Sequence, residues 1–256
     1  MSEGPSNPAI KKAMAVLEAL ASSREPQRFT DLLERTGMAK ASLHRILSVL
    51  REERLVSYDE ATRAYELGLR LLALTYGSDG AHALRRFSAA ELEELSSATA
   101  ETIHLAVLDG TEVVYLSKVE STQKVRMYSD VGLRAPAYCT GVGKAILAFR
   151  PDAEKRRIVE RIAFHRFTPK TITSASELLA HLEEVAKRGY ALDEAEHEED
   201  IRCVAAPIIG PQGYSVASIS ISAPAYRAER TQDDWATLVV AAARSVSMKL
   251  SRTPNG

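Results

Sequence analysis

Apolar positions in the first 70 residues repeat three times at helical spacing and then alternate. In PAIKKAMAVLEALA, residues 8–21, Ile10, Met14, Leu17 and Leu20 share one stripe, with Lys11, Lys12 and Glu18 off it. That pattern predicts a helix burying those four apolar residues. FTDLLERTG predicts a short helix, with Thr30 as its N-cap and Gly37 placed to end it in a left-handed conformation. In KASLHRILSVLREE, Leu43, Ile46, Leu47 and Leu50 follow the i, i+3, i+4, i+7 spacing. At 100° per residue the opposite face then presents Ala41, His44, Arg45 and Ser48, a small, polar and basic surface. RLVSYDEATRAYELG predicts two short strands, 55–58 and 64–67, joined by a polar tip that carries Arg63. Helix, short helix, turn, helix and hairpin is the order of a winged helix-turn-helix.

Residues 68–76, GLRLLALTY, read as an apolar helix, and the two glycines of GSDG at 77–80 break it. The boundaries predicted are 1–67 for the winged helix-turn-helix, 68–80 for a linker helix and 81–256 for a second domain. A helix over about 81–100 leads into TIHLAVLDGTEVVYLSKVE, where β-branched residues flank Asp109 and Gly110, a favoured two-residue hairpin turn. STQKVRMYSD, residues 121–130, reads as a strand, and GVGKAILAFR as a tight turn into a helix. SASELLAHLEEVAKRGY reads as a helix with a Ser174/Glu177 capping box and a stop at Gly189. RCVAAPII and YSVASISISA are strands separated by GPQG, and a helix from about Thr231 to Leu250 follows. The fold class is α/β in content, of the α+β kind.

Composition narrows the function classes. The 256 residues are 45% apolar and 26% charged, with a formal net charge of -1, and no apolar run is long enough for a bilayer span. The polar N-terminus MSEGPSNP lacks the basic and apolar regions of a signal peptide, and two distant cysteines offer no disulfide framework. These features predict a reduced, cytoplasmic protein with no membrane partner. Near-neutral charge argues against a histone-like binder but leaves room for a module that grips DNA with a few cations.

The third helix is the recognition-helix candidate. Lys40 and Ser42 near its N-terminus are placed to reach phosphates, and His44, Arg45 and Ser48 to face base edges. Arg63 at the wing tip suits the minor groove or the backbone. Any amphipathic surface helix can show Lys, His and Arg on its wet side; the matching order of four elements favours DNA. One such domain makes few contacts, so a dimer reading a palindromic operator is predicted, with Leu69, Leu71, Leu72 and Leu74 of the linker helix as a subunit contact.

KASLHRILSVLREERLVSYDEATRAYELG, CTGVGKAILA, RGYALDEAEHEEDIRCVAAPI and SVASISISAP, in this order, resemble the IclR family of bacterial transcription regulators along nearly the whole chain. The resemblance implies an N-terminal winged helix, a linker helix and a C-terminal GAF-like domain that binds a small effector, often a carboxylate, in dimers that pair into tetramers. Family members are mostly repressors, with some activators. The wording MYSDVGLRAPAYCTGVGKA and EHEEDIRC looks closest to regulators of sugar-acid catabolism, such as those answering to 2-keto-3-deoxygluconate. The function expected is therefore a repressor controlled by a small organic acid. The alternative is an activator of an aromatic- or other organic-acid operon. No cofactor, catalytic residue or structural metal is expected. Carried over residue by residue, the effector pocket falls on Gly141, Val142, Asp193, Cys203, Ser220 and Ser222.

The residues' own chemistry supports these positions unevenly. Gly141-Val142-Gly143 precedes a helix whose first N–H groups are free to hold a carboxylate. Lys144 either adds charge there or points to solvent. A phosphate-binding P-loop is excluded, because Tyr138 stands where its first glycine belongs and Ala145 where Ser or Thr should follow the lysine. Ser218, Ser220 and Ser222 share one strand face, which lines a pocket or faces water. Met127 and Leu133 are candidates for an apolar wall or for the core. Asp193 and Cys203 are taken as opposite walls, with Glu196 to Asp200 as a solvated connection between them.

Two rivals use the same stretch. Cys203 as nucleophile with His197 as base and Asp193 or Glu196 orienting it is one; the other is a metal held by His197, Glu196, Asp200 and Cys203. A cysteine opening a buried strand more often acts as a small apolar residue, and the His197 to Cys203 spacing matches no common zinc motif. His104 reads as a satisfied strand histidine, and His82, His165 and His181 as surface positions.

Overall fold

The computed structural model describes residues 7–23, 25–71, 79–123, 129–228 and 232–252. The chain divides into two compact units, Met1–Asp79 and Gly80–Gly256.

In the first unit, α1 (Pro8–Ala21) starts where the Asn7 side chain accepts a hydrogen bond from Ala9 N at 3.0 Å, with proline in the first turn. A two-residue strand β1 (Gln27–Arg28) precedes α2 (Phe29–Thr36), which Gly37 ends at φ +61°. Then come α3 (Lys40–Glu52) and the hairpin β2 (Val56–Asp59) and β3 (Ala64–Leu67). The sheet order is β1-β3-β2, antiparallel throughout. Leu43, Ile46, Leu47 and Leu50 of α3 pack with Val16, Leu20, Leu32, Val56 and Tyr65 in one core.

Two local expectations need correction. The buried stripe of α1 is Val16 and Leu20 with half-buried Ala13 and Leu17, whereas Ile10 is 62% and Met14 49% exposed. Apolar residues occupy more than one face of this helix, so spacing alone leaves two stripes open, and α1 turns the smaller one inward. Thr30 does not cap α2; Arg28 is the N-cap, and the Asp31 carboxylate accepts from Arg28 N at 2.9 Å. Strand β1 carries the chain into the helix two residues earlier than Thr30 would. Of the linker helix, Arg70 and Leu71 are helical and Leu69 is exposed; Leu72 and Leu74 lie outside the described residues.

The second unit starts with α4 (Asp79–Thr99), followed by the hairpin β4 (Thr102–Asp109) and β5 (Glu112–Val119), then β6 (Arg134–Pro136). Three helices follow, α5 (Gly141–Ala148), α6 (Asp152–Val159) and α7 (Ala175–Arg188). Strands β7 (Ala191–Glu194), β8 (Ile201–Ile209) and β9 (Ser215–Pro224) precede the one-turn α8 (Ala225–Ala228) and α9 (Gln232–Arg252). The sheet order is β6-β5-β4-β9-β8-β7, every neighbouring pair antiparallel. Pairing of Asp109 with Glu112 puts Gly110 and Thr111 in the hairpin turn, not Asp109 and Gly110, and Gly110 takes φ +66°.

Period-two alternation assigns each sheet face to a different helical layer. Ile219 and Ile221 of β9 and Ile103 and Leu105 of β4 join α4 and α9 in one core, centred on Trp235, Val239 and Val246. On the other face, Ala106, Val113 and Ala205 pack against Ile146, Leu147, Leu178 and Leu182 of α5 and α7. Ser218, Ser220 and Ser222 belong to that second face and are buried, so they do not face water. The strand expected at 121–130 is not found in residues 121–123 or 129–130, and 124–128, with Met127, lie outside the described residues.

Candidate functional site

Where α5 meets the sheet, a cavity of about 630 Å³, counting its open mouth, opens between strands β4, β5, β7, β8 and β9. Six of the residues singled out by sequence line it together: Gly141 and Val142 from the first turn of α5, Asp193 from β7, Cys203 from β8, and Ser220 and Ser222 from β9. Leu133 lines it too. The glycines do not precede the helix; Gly141 is its first residue, because Thr140 is the N-cap. Thr140 Oγ1 accepts from Gly143 N at 3.3 Å and donates to Pro136 O at 2.9 Å. The amides of Gly141 and Val142, in the first turn, have no acceptor within the helix and lie at the positive end of its dipole, which favours an anion.

Sheet register explains the rest of the lining. Cys203 pairs with Asp193 across β7 and β8 and with Ser222 across β8 and β9, while Ser220 pairs with His104 across β9 and β4. Asp193 and Cys203 are thus side by side on one sheet face, not opposite walls; the wall facing them is the N-terminus of α5. A Cβ on Gly141 would stand 3.2 Å from the Cys203 Cβ, which measures how closely that wall approaches.

His104 is a satisfied strand histidine and a cavity residue at once. Its Nε2 lies 2.8 Å from Ser129 Oγ, and Nδ1 lies 3.4 Å from Ser222 Oγ and 3.5 Å from Ser220 Oγ. Burial, then the nearby Lys118 charge, holds its pKa at about 3, so the imidazole is neutral and both nitrogens serve hydroxyls. Tyr115, with its ring 4.9 Å from the His104 ring, Thr140, Arg134, His197, Glu198 and Ile201 complete most of the lining. Arg134 is paired with Asp109 and Glu112 at 2.8 and 2.7 Å. Alternation along β4 could have put His104 on the cavity face, but only once β9 was known to be its neighbour.

The charge run departs from expectation at Glu196. Glu196 is not solvated: it is buried and ion-paired with Lys144, whose side chain is fully buried. Lys144 therefore neither lines the cavity nor reaches solvent; it is held inside by Glu196. His197 and Glu198 line the cavity, and Glu199 and Asp200 are exposed. Among the histidines expected at the surface, His181 is the exception: it is half-buried on α7, burial lowers its pKa to about 4, and its Nε2 has no hydrogen-bond partner among the described residues. His82 and His165 are exposed.

Asp193 is buried, and its Oδ1 accepts from Glu196 N at 2.8 Å. Burial raises its pKa to about 7 against the opposing pull of Lys144. Burial, then the Asp193 carboxylate, pushes the Cys203 thiol up, the reverse of what a nucleophile requires. A catalytic relay through His197 is also unsupported: its Nδ1 faces Glu198 at 3.9 Å, and its ring packs edge-on to Phe167. Among the described residues no three His, Cys, Asp or Glu side chains converge as a metal cage, since Glu196 is committed to Lys144 and Asp200 turns outward.

On α3 of the first unit, Lys40, Ala41, His44, Arg45 and Ser48 are exposed. Ser42 is half-buried and its Oγ accepts from Lys12 Nζ at 3.1 Å, so Lys12 of α1 adds a cation beside the start of α3. Phe29 flanks His44 with ring centroids 5.6 Å apart. Arg63 is exposed at the wing tip with φ +56°, in a turn where the Asp59 carboxylate accepts from Ala61 N at 2.8 Å and Thr62 Oγ1 at 3.0 Å.

Comparison with known proteins covers both units. The profile described as "IclR helix-turn-helix domain" matches residues 9–60, and that described as "Bacterial transcriptional regulator IclR C-terminal" matches residues 80–248. The HTH-type transcriptional regulator KdgR of Escherichia coli K12 is 36% identical over 247 residues, 94% of this chain and 92% of that protein. The crystal structure of the Thermotoga maritima IclR is 32% identical, with a TM-score of 0.77, covering 94% of this chain and 98% of that one. An IclR homolog from Microbacterium hydrocarbonoxydans, complexed with 4-hydroxybenzoate, shares the fold at 22% identity, with a TM-score of 0.80 over 96% of this chain and all of that one.

Proposed function

The chain belongs to the IclR family of bacterial transcriptional regulators, and from that premise we propose that the cavity beside α5 is its effector site and takes a small hydroxylated acid of the sugar-acid class. One observation carries the reading: Gly141 and Val142, the first residues of α5, line the same cavity as Asp193, His104, Ser220 and Ser222. The helix N-terminus suits a carboxylate, and His104, Ser220, Ser222 and Asp193 are donors and acceptors that can extend their internal hydrogen bonds to ligand hydroxyls, of which a sugar acid offers more than an aromatic or aliphatic acid. Binding shifts the DNA-binding units between competent and incompetent arrangements in a homodimer or tetramer. The reading makes the protein a repressor in the cytoplasm, acting at a palindromic operator through α3 and the wing. Lys40, His44, Arg45 and Ser48 on the exposed face of α3 and Arg63 at the wing tip support the DNA contact.

The test is a thermal-shift screen of sugar, keto and aromatic acids, followed by a gel shift on the DNA upstream of the gene, with and without the acid that raises Tm. A sugar acid should raise Tm and weaken the shifted band. Stabilisation by an aromatic acid alone would overturn the choice of ligand class. For the DNA face, Arg45→Ala should weaken operator binding by about 10- to 100-fold, the cost of one base-edge contact, with an unchanged melt. Equal weakening on random DNA would assign Arg45 to phosphate contact instead.

Asp193 gives the acid response a pH dependence. The groups that face it are Lys144 and Cys139 on the α5 side, Glu196 in its own loop, Arg202 and Cys203 on β8, and Tyr115 on β5. Its folded pKa of about 7 lies above the ordinary value, so the acceptor carboxylate forms only as pH rises through that point. Acid affinity should therefore rise by about tenfold between pH 6 and 8. The same raised pKa favours the ligand-free fold at low pH, an effect lost as pH rises through about 7. Asp193→Asn should weaken the acid, flatten both trends and leave operator binding intact. A variant that folds but no longer binds DNA would refute that assignment.

A further inference from the structure

The Lys144–Glu196 pair has no part in the cavity lining or the DNA face, yet it joins the two sides of the cavity. Every residue of α5 is buried; its first turn lines the cavity, and Lys144, three residues after Gly141, is fully buried outside the lining. There its Nζ bonds Glu196 Oε1. Glu196 lies in the loop between β7 and β8, three residues after Asp193 and just before His197 and Glu198, all of which line the cavity. Its backbone N–H also donates to Asp193 Oδ1 at 2.8 Å.

The loop is held by two buried threonines as well. Thr168 Oγ1 donates to Ala195 O at 2.7 Å and Thr171 Oγ1 to Glu196 O at 2.6 Å, and Ala195 is kept at φ +69°. Stability alone does not call for such charges, since two packed apolar side chains serve a core as well as a buried ion pair. Here the pair even leaves Glu196 Oε2 buried without a hydrogen-bond partner among the described residues.

We infer that the Lys144–Glu196 pair is a positioning strut, which sets the separation of the α5 N-terminus from the 193–198 loop and so sets acid affinity and selectivity. The inference rests on the cavity being the effector site. Supporting groups of this kind hold contacting residues in productive geometry and cost binding when removed.

The test uses the full-length protein, its melt without ligand, and calorimetric Kd values for 2-keto-3-deoxygluconate and D-gluconate. In K144M/E196L both charges go and the space stays filled, so Tm should remain close to wild type. Affinity for the better acid should nevertheless fall by about tenfold or more, and the ratio between the two acids should collapse. Glu196→Gln, whose amide oxygen still accepts from Lys144, should keep the wild-type ratio. If the double variant does not fold, K144R/E196D retains the charges while shifting their reach, and the ratio should change there too. Wild-type Kd values and ratio in either folded double variant would overturn the strut. If the wild-type chain binds neither acid, nor any other in the panel, the effector-site reading itself falls and the strut with it.

Discussion

Lys144→Met alone should destabilise the second unit by about 3–5 kcal/mol near neutral pH, the cost of leaving one partner of a buried ion pair behind. The stranded group is Glu196, which sits 7% exposed at the side chain with no other partner for Oε2 among the described residues. Burial already raises its pKa, and Lys144 opposes that rise both by its charge and by its hydrogen bond. Without the ammonium, Glu196 takes up a proton at still higher pH. A carboxyl whose folded pKa exceeds its unfolded value contributes stability that is present below the unfolded pKa and is lost as pH rises through the folded pKa. The deficit of the variant should therefore be smaller at pH 5 than at pH 8. Urea denaturation of wild type and variant at both values measures it. A loss below about 1 kcal/mol at pH 8 would mean the pair is solvated and worth no more than a surface ion pair. The same deficit at both values would mean that Glu196 does not titrate there.

Gly143→Ala should cost about 3 kcal/mol or more, although alanine is the better helix former by about 1 kcal/mol. A Cβ at this position would stand 2.3 Å from Ala137 O and 2.4 Å from Ala137 Cα, so backbone must move on one side or the other. The segment that would move carries Thr140, whose hydroxyl caps α5 and ties it to Pro136. Loss of the fold and loss of the acid response should therefore occur together. Gly141→Ala is the contrasting case, since its Cβ would press on the side-chain carbons of Cys203 and Ala205, at 3.2 and 3.4 Å, and would meet backbone, the Cys203 carbonyl oxygen, only at an ordinary 3.7 Å. That variant should fold and bind acids more weakly because its cavity is narrower. Circular dichroism melts of the two variants separate the cases, and a Gly143→Ala melt equal to wild type would refute the clash.

The elements that sequence made legible are those whose signal is local. The spacing of Leu43, Ile46, Leu47 and Leu50 placed the inner and outer faces of α3, because 3.6 residues per turn leaves only one stripe for them. Gly37 and Gly189 ended their helices in left-handed conformations, a geometry set by one residue's missing Cβ. The family's motif positions likewise led to Gly141, Asp193, Cys203, Ser220 and Ser222, which line one cavity.

What stayed hidden depended on neighbours distant in the chain. Two apolar stripes on α1 are equally good helix faces, and the packing of α2 and α3 against it decides between them. His104 joins Ser220 and Ser222 because antiparallel β4 and β9 hydrogen-bond in one particular register, which no pattern within either strand encodes. Glu196 belongs to a run of carboxylates that reads as solvated, since an unpaired charge stays in water. It is buried because tertiary packing brings an ammonium 52 residues away against it. Backbone geometry writes period and turns into short stretches of chain, whereas the burial of a charge depends on where its partner lies in space.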